Sequence, residues 1–247
     1  MLRNRAGEDG QNEKMAHDED ERIERAIRAT EVLRTPKQAL ATFGTTNVYY
    51  YMVTEPSYKE LVEGDEETVV REGRVLAERP RVVTPSYLAN VEGFSEEARK
   101  YLEMVVQEHG PHTPGLFYGY KNEPKEMNVV SSDMTSVVRR IGEDLDREGN
   151  SLSAIIKGVD ELWDVSLLKF IFEMTSYSLG ANVFELGSRG LLDTDARGVP
   201  MDARLSIEQL FAQVAKGDMD PSVLKLELDR WGLFDEYEDR FLKLFKR

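Results

Sequence analysis

The chain has no cysteine and only three histidines among its 247 residues. Without cysteine there are no disulfides, no thiolate metal ligands and no cysteine nucleophile, and a reducing compartment suits it. A glycine-rich phosphate loop, a GxSxG elbow and a dinucleotide fingerprint are all missing, which removes the commonest nucleotide-binding and hydrolase signatures. An enzyme built from scattered carboxylates stays open, because such a site has no spacing to find. The opening MLRNRAGEDGQNEKMAHDEDERIE lacks the apolar centre of a secretory signal, and neither end carries a lipidation motif. The expectation is a cytoplasmic protein without membrane contact.

Long apolar runs are also scarce. The one that stands out is Val165 to Leu186, VSLLKFIFEMTSYSLGANVFEL. A membrane span needs about 20 mostly apolar residues with few charges, and Lys169, Glu173 and Glu185 interrupt this one. Val165, Leu168, Phe172 and Leu179 fall on one side of a helix, while Leu167, Phe170, Ile171, Met174 and Tyr177 fill most of the rest. A helix apolar nearly all round must be covered on several sides, so the reading is a buried hub. Gly180 and Gly187 are its expected bend or stop points.

What the chain has in plenty is acid. Asp and Glu total 46 against 32 Lys and Arg, a formal net charge of −14. A field of that sign favours basic protein partners and repels a phosphate backbone, which makes nucleic acid a poor partner. Hydrophobic residues at 40% suffice for a core that needs no staples.

Residues 1–18 have too few apolar groups to offset the entropy of ordering and read as a disordered tail. A helix is expected from Asp20, with Ile23, Ile27 and Leu33 on one face and Thr35-Pro36 closing it. Thr45 to Thr54, TTNVYYYMVT, reads as a central strand apolar on both faces. Thr68 to Glu78 reads as a hairpin turning at Glu72-Gly73, followed by a short strand at Arg81 to Thr84. Ser95 to Glu108 reads as a helix with Ala98, Tyr101, Leu102, Val105 and Val106 inward. Leu116 to Tyr120 and Met127 to Ser131 suggest a second hairpin across Asn122 to Lys125.

After Ser132 the pattern is helical. Asp133 to Arg147 ends at Gly149. Leu152 to Trp163 is compatible with a strand, but Leu152, Ile155, Ile156, Val159 and Leu162 follow the helical period better, and helix is the expectation. Asp164 reads as the cap of the hub. Asp193 to Ala203 is a loop, Ser206 with Gln209 opens a helix by a capping box, and Asp220-Pro221 opens another. The last helix presents Phe234, Tyr237, Phe241 and Leu244 inward.

The fold expected is thus α+β: an N-terminal β-rich part of antiparallel hairpins plus one helix, then a C-terminal helical bundle around a buried central helix. The tail is 1–18, the β-rich part 19–131 and the helical part 132–247, unless 36–131 and 132–247 form one continuous domain.

Glu108, His109 and His112 are the densest set of metal-type and acid–base groups. Their spacing is not that of a helical zinc motif, and loop histidines are more often exposed, so no metal is assigned. Asp144 to Gly149 imitates half an EF-hand loop, but Ile155 stands where the bidentate glutamate belongs. Asp193 to Gly198 fails likewise at Arg204. Arg71, Arg74, Arg79 and Arg81, with Lys59 and Tyr49 to Tyr51 nearby in sequence, form the anion-binding candidate. Glu72 and Glu78 between them favour a paired, charged sheet edge instead. Three functions follow in order. The first is a non-catalytic protein-interaction or regulatory module. The second is an enzyme with a site between sheet and helices, using Glu108, His109 and His112 on a small anionic substrate held by the arginines. The third is nucleic-acid binding by the arginine-rich hairpin. No cofactor is assigned.

Overall fold

A computed structural model describes residues 19–58, 66–91 and 95–245, apart from the side chains of 96–99, 102 and 105. The expected tail at 1–18, Lys59, and the inward placement of Ala98, Leu102 and Val105 lie outside what is described. The architecture is α+β, with most strands early and the longer helices late. By internal contacts the chain forms two compact units, Met1–Arg79 with Tyr120–Gly180, and Pro80–Gly119 with Ala181–Arg247. Each takes chain from both sides of Ser131-Ser132.

The first unit is built on a five-stranded mixed sheet in the order β1-β7-β2-β3-β6. β1 is Glu31–Arg34, β2 Thr46–Thr54, β3 Thr68–Ala77, β6 Tyr120–Val130 and β7 Ser153–Lys157. β2 occupies the middle, as its two apolar faces require. Val53 packs with Val70 and Ile155 against Val137 and Leu145 of α4, Met134–Glu148. On the other face Val48 and Val75 meet Phe170 and Met174 of α5, Trp163–Ser188. α4 has the ends its sequence specifies: Asp133 Oδ1 accepts from Ser136 N–H at 2.9 Å, and Gly149 closes it at φ 68°.

Several expectations are corrected. Residues 153–157 are a strand, not part of a helix. Ser153, Ala154, Ile155 and Ile156 are all buried, and β7 lies between β1 and β2, parallel to β2. A continuous apolar run is what a strand covered on both faces shows, and periodicity alone cannot separate it from a buried helix. Thr68 to Glu78 is one strand rather than a hairpin. Gly73 sits opposite Tyr50 in register, and a Cβ there would collide with the Tyr50 ring. The glycine therefore makes room rather than a turn.

The second expected hairpin is also absent. β6 runs straight through Asn122 to Lys125 as the outer neighbour of β3, with Pro124 opposite Gly73, next to a register shift between Arg71 and Gly73. Proline is tolerated on an edge strand or at a bulge, where its missing N–H has no ladder partner to lose. The first helix, α1, covers 19–29, and the chain after it becomes β1, so Leu33 belongs to a strand.

The hub helix forms over its expected span, but it is not clothed on several sides. Its buried row is Ser166, Leu167, Phe170, Met174, Ser178, Asn182 and Leu186. Large apolar side chains stand outside, with Leu168 at 65% and Phe172 at 71% exposed, and Tyr177, Leu179 and Phe184 beside them. The polar residues face inward because each answers a specific group. The Thr30 and Ser166 hydroxyls hydrogen-bond at 2.7 Å. Ser178 Oγ accepts from Leu40 N–H at 2.9 Å and donates to Met174 O at 2.7 Å. Lys169 Nζ donates to Ile27 O at 3.0 Å and Thr30 O at 2.9 Å, serving carbonyls at the end of α1.

In the second unit β4, Arg81–Val83, pairs with β5, Gly115–Phe117. The helices there are α2, Pro85–Ala89; α3, Glu96–His109; α6, Met201–Lys216; α7, Pro221–Arg230; and α8, Phe234–Lys243. Tyr101 of α3 is exposed rather than inward. α6 begins at Met201, five residues before the expected Ser206, whose hydroxyl instead donates to Asp202 O at 2.9 Å inside the helix. α7 starts as expected, with Asp220 capping and Pro221 at the first turn. Ile207, Phe211, Leu224, Leu228 and Phe241 form the core of these helices, joined by Phe234, Tyr237 and Leu244 as the stripe predicts.

Two measurements check this packing. Gly73→Ala should cost about 1–3 kcal/mol in urea unfolding, as overpacking does. The cost should shrink in a Tyr50→Ala background, where the ring is gone, giving a clear coupling term in the double-mutant cycle. Ser178→Ala removes a buried acceptor and should cost about 1–3 kcal/mol, while exposed Ser176→Ala should stay within about 0.5 kcal/mol.

Candidate functional site

Glu108 and His109 end α3 with exposed side chains, Glu108 Oε2 lying 3.8 Å from His109 Nε2. His112 follows the turn at Gly110 and lays its ring against Gly198, whose φ of +75° and lack of a Cβ leave the space for it. His112 thus has a packing neighbour in the second unit. Among the described residues no group of three or more histidines and carboxylates is placed to hold a metal ion.

The arginines do not form one patch. Arg71 is opposite Met52 and Arg74 opposite Tyr49 in register, so they leave β3 on different faces. Arg74 Nε donates to Glu123 Oε2 at 2.6 Å, and Lys121 pairs with the other oxygen of the same carboxylate at 2.9 Å. Those two bonds hold the Glu123 carboxyl below its usual range. Lys125 Nζ lies 5.4 Å from the Tyr49 ring centre, and Tyr50 is buried with its hydroxyl donating to Asn122 Oδ1 at 3.0 Å. The tyrosine run is therefore strand core and rim rather than a stacking platform. Arg81 belongs to the second unit, its guanidinium over the Phe117 ring at 5.4 Å.

Arg71 has the most elaborate setting. Its Nη1 donates to Asp160 Oδ1 at 2.7 Å and to Thr54 Oγ1 at 3.2 Å, and its guanidinium lies 5.8 Å from the Trp163 ring. Ser57 N–H donates to Asp160 Oδ2 at 3.2 Å. Burial by itself would raise the Asp160 carboxyl, but hydrogen bonds from Thr54, Arg71 and Ser57 outweigh it and leave the group below its usual range. The network borders an open cleft of about 750 Å³, lined by Arg25, Glu55, Lys157, Gly158 and Asp160 among others. The cleft lies outside the carboxyl ends of the parallel pair β2 and β7, where open sheets commonly take ligands. The half-buried Asp160 carboxylate there is already held by a guanidinium and a backbone N–H. Proton abstraction by Asp160 would have to break that pair first, so the group suits positioning better than base catalysis.

The second feature is the bare row of α5. Leu168, Phe172 and Leu179 recur on one side of the helix, with Ser176 between them. Glu161 and Asp164, both exposed, precede Leu168 on that side. Sequence reasoning missed this surface because the helix is apolar at nearly every angle. The available signal was the polar seam at Ser166, Ser178 and Asn182, spaced in multiples of four.

Asp160→Asn should destabilise the chain at neutral pH by about 3 kcal/mol, because it leaves the Arg71 charge without its counterion in a mostly buried site. A lowered carboxyl stabilises the fold above its unfolded pKa and loses that contribution as pH falls through the folded value. The gap between variant and parent should therefore begin to narrow below about pH 4 and close only as pH falls past the lowered folded value in pH-dependent urea titrations. Comparison with family models, with characterised proteins and with solved structures finds no match to this chain.

Proposed function

We propose that this protein is a docking module for an amphipathic helical segment of a basic protein partner. The observation that carries the reading is the exposed apolar row Leu168, Phe172 and Leu179 on a helix whose polar side is turned inward. Two aromatic or aliphatic side chains at more than 60% exposure on one row leave a surface of the kind that usually marks an interaction site. A second helix could lay its own apolar face along such a row, reading anchors one turn apart.

Charge argues for the partner's sign. Glu161 and Asp164 flank the start of the row, Glu161 pairing with Arg22 at 3.2 Å, and Lys169 is engaged with the carbonyls at the end of α1. The chain as a whole carries −14. A second copy would bring the same acidic field to the contact, whereas a segment with Lys or Arg at one end would be steered towards it. A docking role also fits the absence of a converging nucleophile and base among the described side chains around the Asp160 cleft.

The test is a direct binding titration with a fluorescent helical peptide carrying leucines on one face and lysines at one end, beside its glutamate counterpart. The lysine peptide should bind, the glutamate peptide should bind at least tenfold more weakly, and Leu168→Glu with Phe172→Glu should abolish binding while the circular dichroism spectrum is retained. Binding unaffected by the double variant would overturn the reading. So would a stable dimer in sedimentation that the same variant splits, since the face would then belong to a second copy.

A further inference from the structure

A pocket on the side of α5 away from the docking row plays no part in the proposal above. It has a volume of about 260 Å³ and lies between β1, the segment 35–38 that follows it, and the middle of α5. Its body is apolar. Val32 and Pro36 form one wall, and Phe170, Met174 and Tyr177 form the other. Those three recur at i, i+4 and i+7, so a single side of the helix supplies the second wall. Tyr177 follows Leu168 by about two and a half turns, which points it away from the Leu168 and Phe172 row.

Polar groups in the pocket are few, and they share one character. Glu173 is the one lining side chain that is charged at neutral pH. Lys169 Nζ lies 3.8 Å from Glu173 Oε1, beyond a hydrogen bond, and donates instead to Ile27 O and Thr30 O. The half-exposed Glu173 carboxylate thus accepts no hydrogen bond among the described residues, and the Thr35 and Tyr177 hydroxyls make none there either. Gln38 Nε2 donates to Ser151 Oγ at 3.0 Å, which orients the amide and leaves its Oε1 as an acceptor. A carboxylate, an amide oxygen and two hydroxyls together suit a ligand rich in donors. An ammonium has three donors and no acceptor, so it matches such a set. The apolar walls are suited to a ring: aromatic groups pack edge to face on Phe170 and Tyr177, and the Met174 thioether favours a ring edge.

We infer that this pocket binds a small arylalkyl amine, a protonated amine joined by a short chain to one aromatic ring. Its ammonium meets the Glu173 carboxylate, with Gln38 Oε1 and the Thr35 hydroxyl as further acceptors, and its ring lies between Pro36 and Val32 on one side and Phe170 and Met174 on the other. The face of the Tyr177 ring adds attraction for the positive charge. At about 30 Å³ per water-sized group, the volume holds on the order of nine non-hydrogen atoms, the size of a phenyl ring with a two-carbon amine chain. A carboxylate ligand of the same size would meet Glu173 with like charge.

The experiment uses the full chain and three probes of matched shape in calorimetric titration: 2-phenylethylamine, 2-phenylethanol, which replaces the ammonium by a neutral hydroxyl, and phenylacetate, which replaces it by a carboxylate. The amine should bind, and the other two should bind at least tenfold more weakly. Glu173→Gln keeps the side-chain shape and should bring the amine down to the affinity of the alcohol. Glu238→Gln removes an exposed carboxylate on α8 and should leave the amine unchanged. Leu168→Ala with Phe172→Ala strips the docking row without adding charge and should likewise leave the amine unchanged, so this pocket and that row succeed or fail separately. No binding of 2-phenylethylamine, equal binding of 2-phenylethylamine and 2-phenylethanol, or full amine affinity in Glu173→Gln with an unchanged circular dichroism spectrum would each overturn the proposal. So would an equal loss in Glu238→Gln, which would make the binding a diffuse effect of net charge, or a loss in the Leu168 and Phe172 double variant, which would place the amine on the docking row.

Discussion

The polar seam on the inner side of α5 governs what the first unit presents to solvent. Ser166 and Ser178 stand four-residue multiples apart, each engaged by a neighbouring group, Thr30 in one case and Leu40 N–H in the other. These bonds are directional in a way that apolar contact is not, so they fix the rotation of the helix about its axis. Once that rotation is set, Phe170 and Met174 are carried inward and Leu168 and Phe172 outward. A helix placed by burial alone would have no reason to prefer one of its apolar sides. Buried polar groups cost free energy unless paired, and here the pairing selects the orientation.

The sheet beneath α5 shows a related economy of space. β2 and β7 are covered on both faces, and their neighbours must fit closely around side chains of fixed size. Gly73 gives way to the Tyr50 ring, and Gly158 does the same at the end of β7, where an added Cβ would lie 2.6 Å from Ser166 Oγ and 2.9 Å from Met52 Sδ. Pro124 opposite Gly73 then falls where the ladder is already irregular. The close approach of α5 to the sheet and the bulge in the outer strands are parts of one packing solution.

Charge is distributed by the same logic. Most of the arginines that look free in the chain are matched locally: Arg71 to Asp160, Arg74 to Glu123, Arg204 to both Asp195 and Glu236, Arg240 to Glu208. Such pairing places each of these cations beside a carboxylate. The partners of Arg71 and Arg74 are Asp160 and Glu123, not the interleaved Glu72 and Glu78 that the sequence suggested, and β3 is not an edge strand.

The sequence by itself determined the class of fold, the central place of β2, the ends of α4, the start of α7, and the inward stripe of α8. Each rests on local chemistry: an apolar period, a capping carboxylate, a proline at a first turn, a glycine at positive φ. Tertiary structure decided the rest. Whether 153–157 is strand or helix depends on β1 and β2 lying on either side of it, since a short apolar run has no period of its own. Whether Gly73 turns the chain or clears a ring depends on Tyr50, 23 positions away. Whether the outer side of α5 is bare depends on hydroxyls that answer Thr30 and Leu40.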